Sequence, residues 1–182
     1  MANPSKRIQR ARATTYSQSG TALQRTALLK RSMNFRFATL HDSHLLAELN
    51  HQLIRDEGHR NRMTVPELEE RMHAWLSGEY RAVLMEKPDA VIAYALFCEH
   101  EEEIYLRQLF VVREHRRCGI GRAVVELLRS QVWPKHKRLT VSVLVNNLGA
   151  VAFWRAVGYH DYCLTLEIVP KHAAEDGTHP AS

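Results

Sequence analysis

The sequence predicts a mixed α/β fold: a mostly antiparallel central sheet with helices on both faces. Three observations carry this. Strand-like alternation and helix-like spacing of apolar residues succeed one another along most of the chain. Three consecutive strands are separated only by short turns, which makes them antiparallel neighbours. A later strand–helix–strand run favours a parallel pair. The length of 182 residues, 45% of them hydrophobic and 25% charged, suits one such domain with a core of its own.

The elements follow in order. Residues 1–32 hold seven basic residues, Lys6, Arg7, Arg10, Arg12, Arg25, Lys30 and Arg31, and no acid. Against a formal net charge of +5 for the whole chain, the remainder is slightly acidic. Nucleic acid is therefore not expected as a partner, except through residues 1–32. This leader has three readings: a flexible tail or a start upstream of Met33, a basic arm for a polyanion, or an organelle transit peptide. It has no apolar core of ~7–15 residues, which speaks against a secretory signal.

The folded body is expected over 33–170. "NFRFATL" (34–40) alternates as a strand does. "HDSHLLAELNHQLIRDEG" places Leu45, Leu46, Leu49, Leu53 and Ile54 on one helical face, with Asp42 or Ser43 as cap. "TVPELEERMHAWLSG" is a second helix, started by Thr64 and Pro66 and ended by Gly78. Residues 80–112 read as three strands with turns at Lys87–Asp89 and Glu99–Glu102. A helix follows over about 121–133, stopped by Pro134. "RLTVSVLVN" (138–146) is a strand, "NLGAVAFWRAVG" (147–158) a helix, and "YHDYCLTLEIV" (159–169) a last strand. The tail 171–182 is polar and expected to be flexible.

The cysteines, Cys98, Cys118 and Cys163, are odd in number and lack C-x-x-C spacing. Reduced thiols in a cytoplasmic protein are expected. No apolar run approaches the ~18 residues of a membrane span, so no membrane is expected. His41, His44 and His100 belong to no set with metal-site spacing, and no metal is expected.

One turn concentrates chemistry. "REHRRCGIGR" (113–122) sits between the third of the consecutive strands and a helix. A helix start presents unpaired amides and a partial positive charge. Gly119 and Gly121 let a ligand approach the backbone, and Arg116, Arg117 and Arg122 add full charges. Such a turn suits a pyrophosphate, though a solvated helix start with turn glycines has the same pattern. It lacks the Lys-Ser/Thr of a Walker A loop, and Val124 stands where a dinucleotide fingerprint needs a third glycine.

"RRCGIG" (116–121) fits the Arg/Gln-x-x-Gly-x-Gly/Ala loop of the GCN5-related N-acetyltransferase (GNAT) superfamily. "NLGAVAFWRAVGY" (147–159) resembles that family's Asn-x-x-Ala helix with its closing Gly-Tyr, and the element order is similar. The resemblance covers roughly residues 34–169. It implies an acyl-CoA acyltransferase fold with acetyl-CoA as co-substrate. By the resemblance, a bulge at Phe110, Val111 and Val112 opens the sheet and pairs with the pantetheine arm. Arg116, Arg117, Cys118, Gly119, Ile120, Gly121 and Arg122 would cradle the pyrophosphate, and Asn147 would contact the cofactor arm.

The implied reaction is direct attack by a primary amine, of a small molecule or a peptide, on the acetyl thioester in a ternary complex. Glu103, Tyr105, Arg107 and Leu109 share a strand face by period two. Glu103 is the nearest carboxylate on it and the candidate base, unless Glu101–Glu103 only form a solvated turn; Tyr105 is the candidate proton donor. Many relatives have a tyrosine seven residues after the motif asparagine, where this chain has Trp154, which would wall the cleft or belong to the core. Asp56, Glu57 and His59, between the first two helices, are candidates for acceptor binding. The departures leave two alternatives open: a non-catalytic acyl-CoA-binding module, and an acetylase of RNA- or protein-borne amines. A homodimer is a further expectation, since relatives are often dimers.

Overall fold

The computed structural model describes residues 34–168; the basic leader and the tail 171–182 lie outside the described residues. Five strands form one sheet in the order β1 (Asn34–Phe37), β2 (Tyr80–Lys87), β3 (Ala90–Glu99), β4 (Glu103–Val111) and β5 (Arg138–Val141). β1 to β4 are antiparallel neighbours, and β5 joins β4 in parallel. The mixed, mostly antiparallel sheet expected from the sequence is the one found. The chain divides into two compact units at Leu144/Val145, and the sheet belongs to the first.

Two helices close one face of the sheet. α1 (Ser43–Glu57) buries Leu46, Leu49, Asn50 and Leu53, positions that fall on one stripe, and Gly58 ends it with a left-handed φ of 63°. α2 (Val65–Ser77) starts with a reciprocal cap: the Glu67 carboxylate accepts from the Thr64 amide at 2.6 Å and its hydroxyl at 2.8 Å. Leu46, Leu49, Leu53 and Met72 pack on Ala82, Leu84, Tyr94, Leu96 and Phe110 of the sheet. The alternate sheet residues Val83, Met85, Ala95, Phe97 and Leu106 are buried on the opposite side. There α3 (Ile120–Leu127) continues as a π-helical turn, Leu128–Val132, and Trp133 meets Phe97 edge-on at 5.6 Å.

Three details differ from expectation. β5 stops at Val141, five residues short of the predicted strand. The segment 159–168 forms no strand. Its alternating Tyr162, Leu164, Leu166 and Ile168 are 66–98% exposed: alternation supplies a strand's side-chain pattern, but a strand also needs a paired neighbour. The third concerns the bulge. The β3–β4 register runs evenly from Ala93↔Val111 to Leu96↔Gln108 and resumes at Phe97↔Leu106. The extra residue is Arg107, upstream of the expected Phe110–Val112.

In the second unit, α4 (Leu148–Ala156) begins at Asn147, whose side chain accepts from the Ala150 amide at 3.1 Å. Trp154 is buried, with Phe153 and Tyr159 edge-on at 5.0 and 5.1 Å.

Candidate functional site

The bulge shapes the site. With two residues opposite Leu96, both Arg107 and Gln108 come to the face covered by α1 and α2, and every residue beyond them changes side. Leu109, expected beside Tyr105 and Arg107, therefore lies on the opposite face, paired with Ala95. β5 pairs with β4 only over Glu103–Leu106. From Arg107 onward no strand among the described residues covers that edge of β4. The Val112 amide bonds to the Ile92 carbonyl at 3.0 Å. By antiparallel alternation, Leu109 and Val111 then turn their backbone groups away from β3, toward the open edge.

The chain leaves this edge into the glycine–arginine loop. A 3-10 turn, Arg113–His115, leads to Arg116 in extended conformation. Arg117 has a φ of 60° and Gly119 a φ of 81°, so two left-handed residues bend the backbone just before α3. The first helical bond runs from the Ala123 amide to the Gly119 carbonyl at 3.1 Å. The amides of Ile120 and Gly121 precede it, and no side chain caps the turn. Arg117, Cys118, Gly119 and Arg122 are exposed. Amides at a helix start, with positive side chains around them, suit a phosphate or pyrophosphate.

Arg116 is committed within the fold. Its Nε donates to the Val111 carbonyl at 2.7 Å, its Nη2 reaches Asp56 at 2.5 Å, and the guanidinium lies 5.1 Å from the Phe110 ring centroid. Arg113 also grips Asp56. The end of α1 is thus pinned to the loop. Arg113 first, and then Arg116, hold the Asp56 carboxyl below its ordinary range. Asp56 therefore meets the site already neutralised. Its neighbour Glu57 is half-buried. Burial, with Asp56 adjacent, pushes the Glu57 carboxyl up. His59 accepts from the Asn61 amide at 3.0 Å within the connecting loop.

Glu103 and Tyr105 lie on the closed half of β4. Glu103 accepts from Arg138 at 2.8 Å across the parallel pair, and the Tyr105 hydroxyl donates to Ser142 at 3.4 Å. In the second unit, Asn147 caps its own helix and Trp154 packs in an aromatic group, as described above.

A polar cluster that sequence reasoning missed lies on the α1–α2 face. Arg71 donates to Asn50 Oδ1 at 2.7 Å, and the Tyr94 hydroxyl donates to Gln108 at 3.1 Å. The Arg71 and Arg107 guanidinium groups each lie 4.6 Å from the Trp75 ring centroid. The one sequence signal was Asn50, a polar residue on the apolar stripe of α1. Among the described residues, no group of three or more His, Cys, Asp or Glu could hold a metal, and no helix is long and apolar enough to cross a membrane.

A family model described as Acetyltransferase (GNAT) family matches residues 45–159. Solved structures share the fold. A possible acetyltransferase from Clostridium difficile 630 is 16% identical, with a TM-score of 0.64 over 76% of this chain and 97% of its own. The aminoglycoside N-acetyltransferase AAC(6')-Iy in complex with CoA is 13% identical, with a TM-score of 0.61 over 76% and 95%. The ribosomal-protein-alanine N-acetyltransferase from Brucella melitensis biovar Abortus 2308 is 14% identical, with a TM-score of 0.58 over 75% and 99%. No curated protein sequence matches the chain significantly.

Proposed function

Because this chain belongs to the acetyltransferase (GNAT) family, we propose that it is an acetyl-CoA-dependent N-acetyltransferase acting on a primary amine of a small molecule or peptide. The observation that carries the reading is the open edge of β4 running straight into the uncapped start of α3. The outward backbone groups of Leu109 and the Val111 amide would hold the pantetheine arm as an added strand. The amides from Arg117 to Arg122, with the side chains of Arg117 and Arg122, would hold the pyrophosphate. Bound acetyl-CoA supplies an acetyl thioester open to amine attack.

The chain's own residues address the proton. An ammonium has no lone pair, so the acceptor must lose a proton before its nitrogen bonds to the acetyl carbon. The carbon–sulfur bond then breaks, the sulfur leaves with the electron pair, and the proton given up by the new amide nitrogen reaches the thiolate through water. A base works best with a pKa near the operating pH. Burial moves Glu57 in that direction, whereas Glu103 is held in an ion pair on the closed half of β4. The Asp56 clamp holds the end of α1, and Glu57 with it, against the loop, and we assign the base to Glu57, acting directly or through water. The free cysteines, Cys98, Cys118 and Cys163, support a reducing, cytoplasmic setting. The exposed apolar alternation of 162–168 supports a homodimer.

The test is calorimetric titration of the full chain with acetyl-CoA and then CoA, followed by thiol release against a panel of amines. One-site binding with turnover of an amine is the expected result. Binding without turnover of any amine would leave an acyl-CoA-binding module; a folded chain that binds neither nucleotide would overturn the reading. Gly119→Ala, at a left-handed φ, is expected to cost about 1 kcal/mol of stability and to weaken acetyl-CoA binding.

A further inference from the structure

Two arginines meet over one tryptophan beside the bulge, and neither has a carboxylate partner among the described residues. Arg71 comes from α2 and Arg107 from β4, and each guanidinium lies 4.6 Å from the Trp75 ring centroid. They are thus no more than about 9 Å apart, a range at which two full charges repel. Tyr80 completes the wall: its ring is 5.4 Å from Trp75, and its hydroxyl accepts from Arg107 at 3.5 Å. Elsewhere, Arg36, Arg113, Arg116, Arg138 and Arg155 each pair with an aspartate or glutamate.

Arg71 is held in place without being neutralised. Its Nη2 donates to Asn50 and its Nη1 points at the Met63 sulfur at 3.2 Å. Its Nε is buried with no acceptor. Burial, together with Arg107, pushes the Arg71 guanidinium down. Two like charges held together, one with a buried donor unmet, make a place where an anion would be stabilised. Aromatic faces soften the repulsion but supply no hydrogen-bond acceptor.

The position gives the anion its meaning. Arg107 is the bulge residue, the point where β4 parts from β5. We propose that Arg71 and Arg107 form a subsite for an oxyanion on the acceptor, so that the enzyme acetylates primary amines bearing a carboxylate or phosphate a few bonds from the nitrogen. This names the substrate class of the acetyltransferase proposed above and rests on that reading. It also takes Asp56 out of the acceptor-binding role expected of it, since its carboxylate is already neutralised by Arg113 and Arg116.

The experiment uses the full chain and matched amines: 4-aminobutyrate against butylamine, and O-phosphoethanolamine against ethanolamine. Thiol release is followed at saturating acetyl-CoA. The anionic member of at least one pair is expected to exceed its neutral partner in kcat/KM by about tenfold or more, and the better pair tells carboxylate from phosphate. Arg107→Gln is expected to raise KM for the anionic acceptor by a similar factor, with acetyl-CoA affinity unchanged by calorimetry and partial rescue in Arg107→Lys. In parallel, glutarate and inorganic phosphate are titrated while tryptophan fluorescence is followed; a saturable change lost in Arg107→Gln supports the subsite without any turnover. Neutral amines used as well as anionic ones, or acetyl-CoA affinity falling in Arg107→Gln, would overturn the proposal. If acetyl-CoA fails to bind while the anion titration saturates, the transferase reading falls and the oxyanion site stands.

Discussion

Asp56 and Glu57 are sequence neighbours of the same chemical kind, and the fold gives them opposite fates. Asp56 is clamped by Arg113 and Arg116 and its carboxyl is held low; Glu57 is half-buried and its carboxyl is pushed up. Asp56→Asn is expected to cost about 2 kcal/mol at pH 7, as charged hydrogen bonds of this kind do. A lowered folded pKa stabilises above the unfolded value of about 3.9 and stops doing so as pH falls through the folded one. Urea denaturation should therefore show the gap between wild type and Asp56→Asn closing below about pH 4. Glu57 has the reverse sign: its raised pKa penalises the folded state once pH exceeds the unfolded value. Glu57→Gln should not lower stability at pH 7, while it lowers turnover by about a hundredfold or more. The loss should shrink at high pH, where the amine is already neutral; a parallel loss at every pH would remove Glu57 as base. The sequence named both residues, but which carboxylate is neutralised depends on arginines more than fifty residues away.

The bulge at Arg107 decides more than any single helix does. It puts Arg107 beside Trp75 and turns Leu109 to the opposite face, and the parallel pairing ends next to it. Deleting Arg107 should convert the ladder to an even one without slipping the register beyond it, because one residue is all that the two halves differ by. The expected outcome is a chain with native circular dichroism whose acetyl-CoA affinity has dropped at least about tenfold, a loss of 1.4 kcal/mol in binding. Arg107→Ala, which keeps the bulge, should bind acetyl-CoA normally. Equal affinity in the deletion and the point variant would separate the open edge from the bulge. The helices and the first four strands were readable because their signals are local: the Thr64–Glu67 cap, the apolar stripe of α1, the alternation of β2 to β4. The bulge was not, because alternation continues through it on paper while the extra residue shows only against a partner strand.

Across the molecule, the charge is divided, with the basic excess confined to residues 1–32, and so is the apolar surface. Tyr162, Leu164, Leu166 and Ile168 form a strand-like row exposed to solvent, a surface that another strand can cover. If it holds two copies together, replacing Leu164 and Leu166 by lysine should shift sedimentation from dimer to monomer; identical sedimentation of both forms would dissociate this row from assembly. The sequence by itself determined the element order as far as the last helix, the mixed sheet and the glycine–arginine turn at the start of a helix. Each follows from periodicity, capping and backbone freedom within a few residues. Only the tertiary structure decided which arginines are spent within the fold and which lack a counter-charge. Arg116 looked like a ligand arm and is bound to Asp56 and Val111; Arg71 carried no signal in the sequence and is held near Arg107 without a carboxylate. Charge compensation depends on distances between elements remote in sequence, and those distances exist only once the chain has folded.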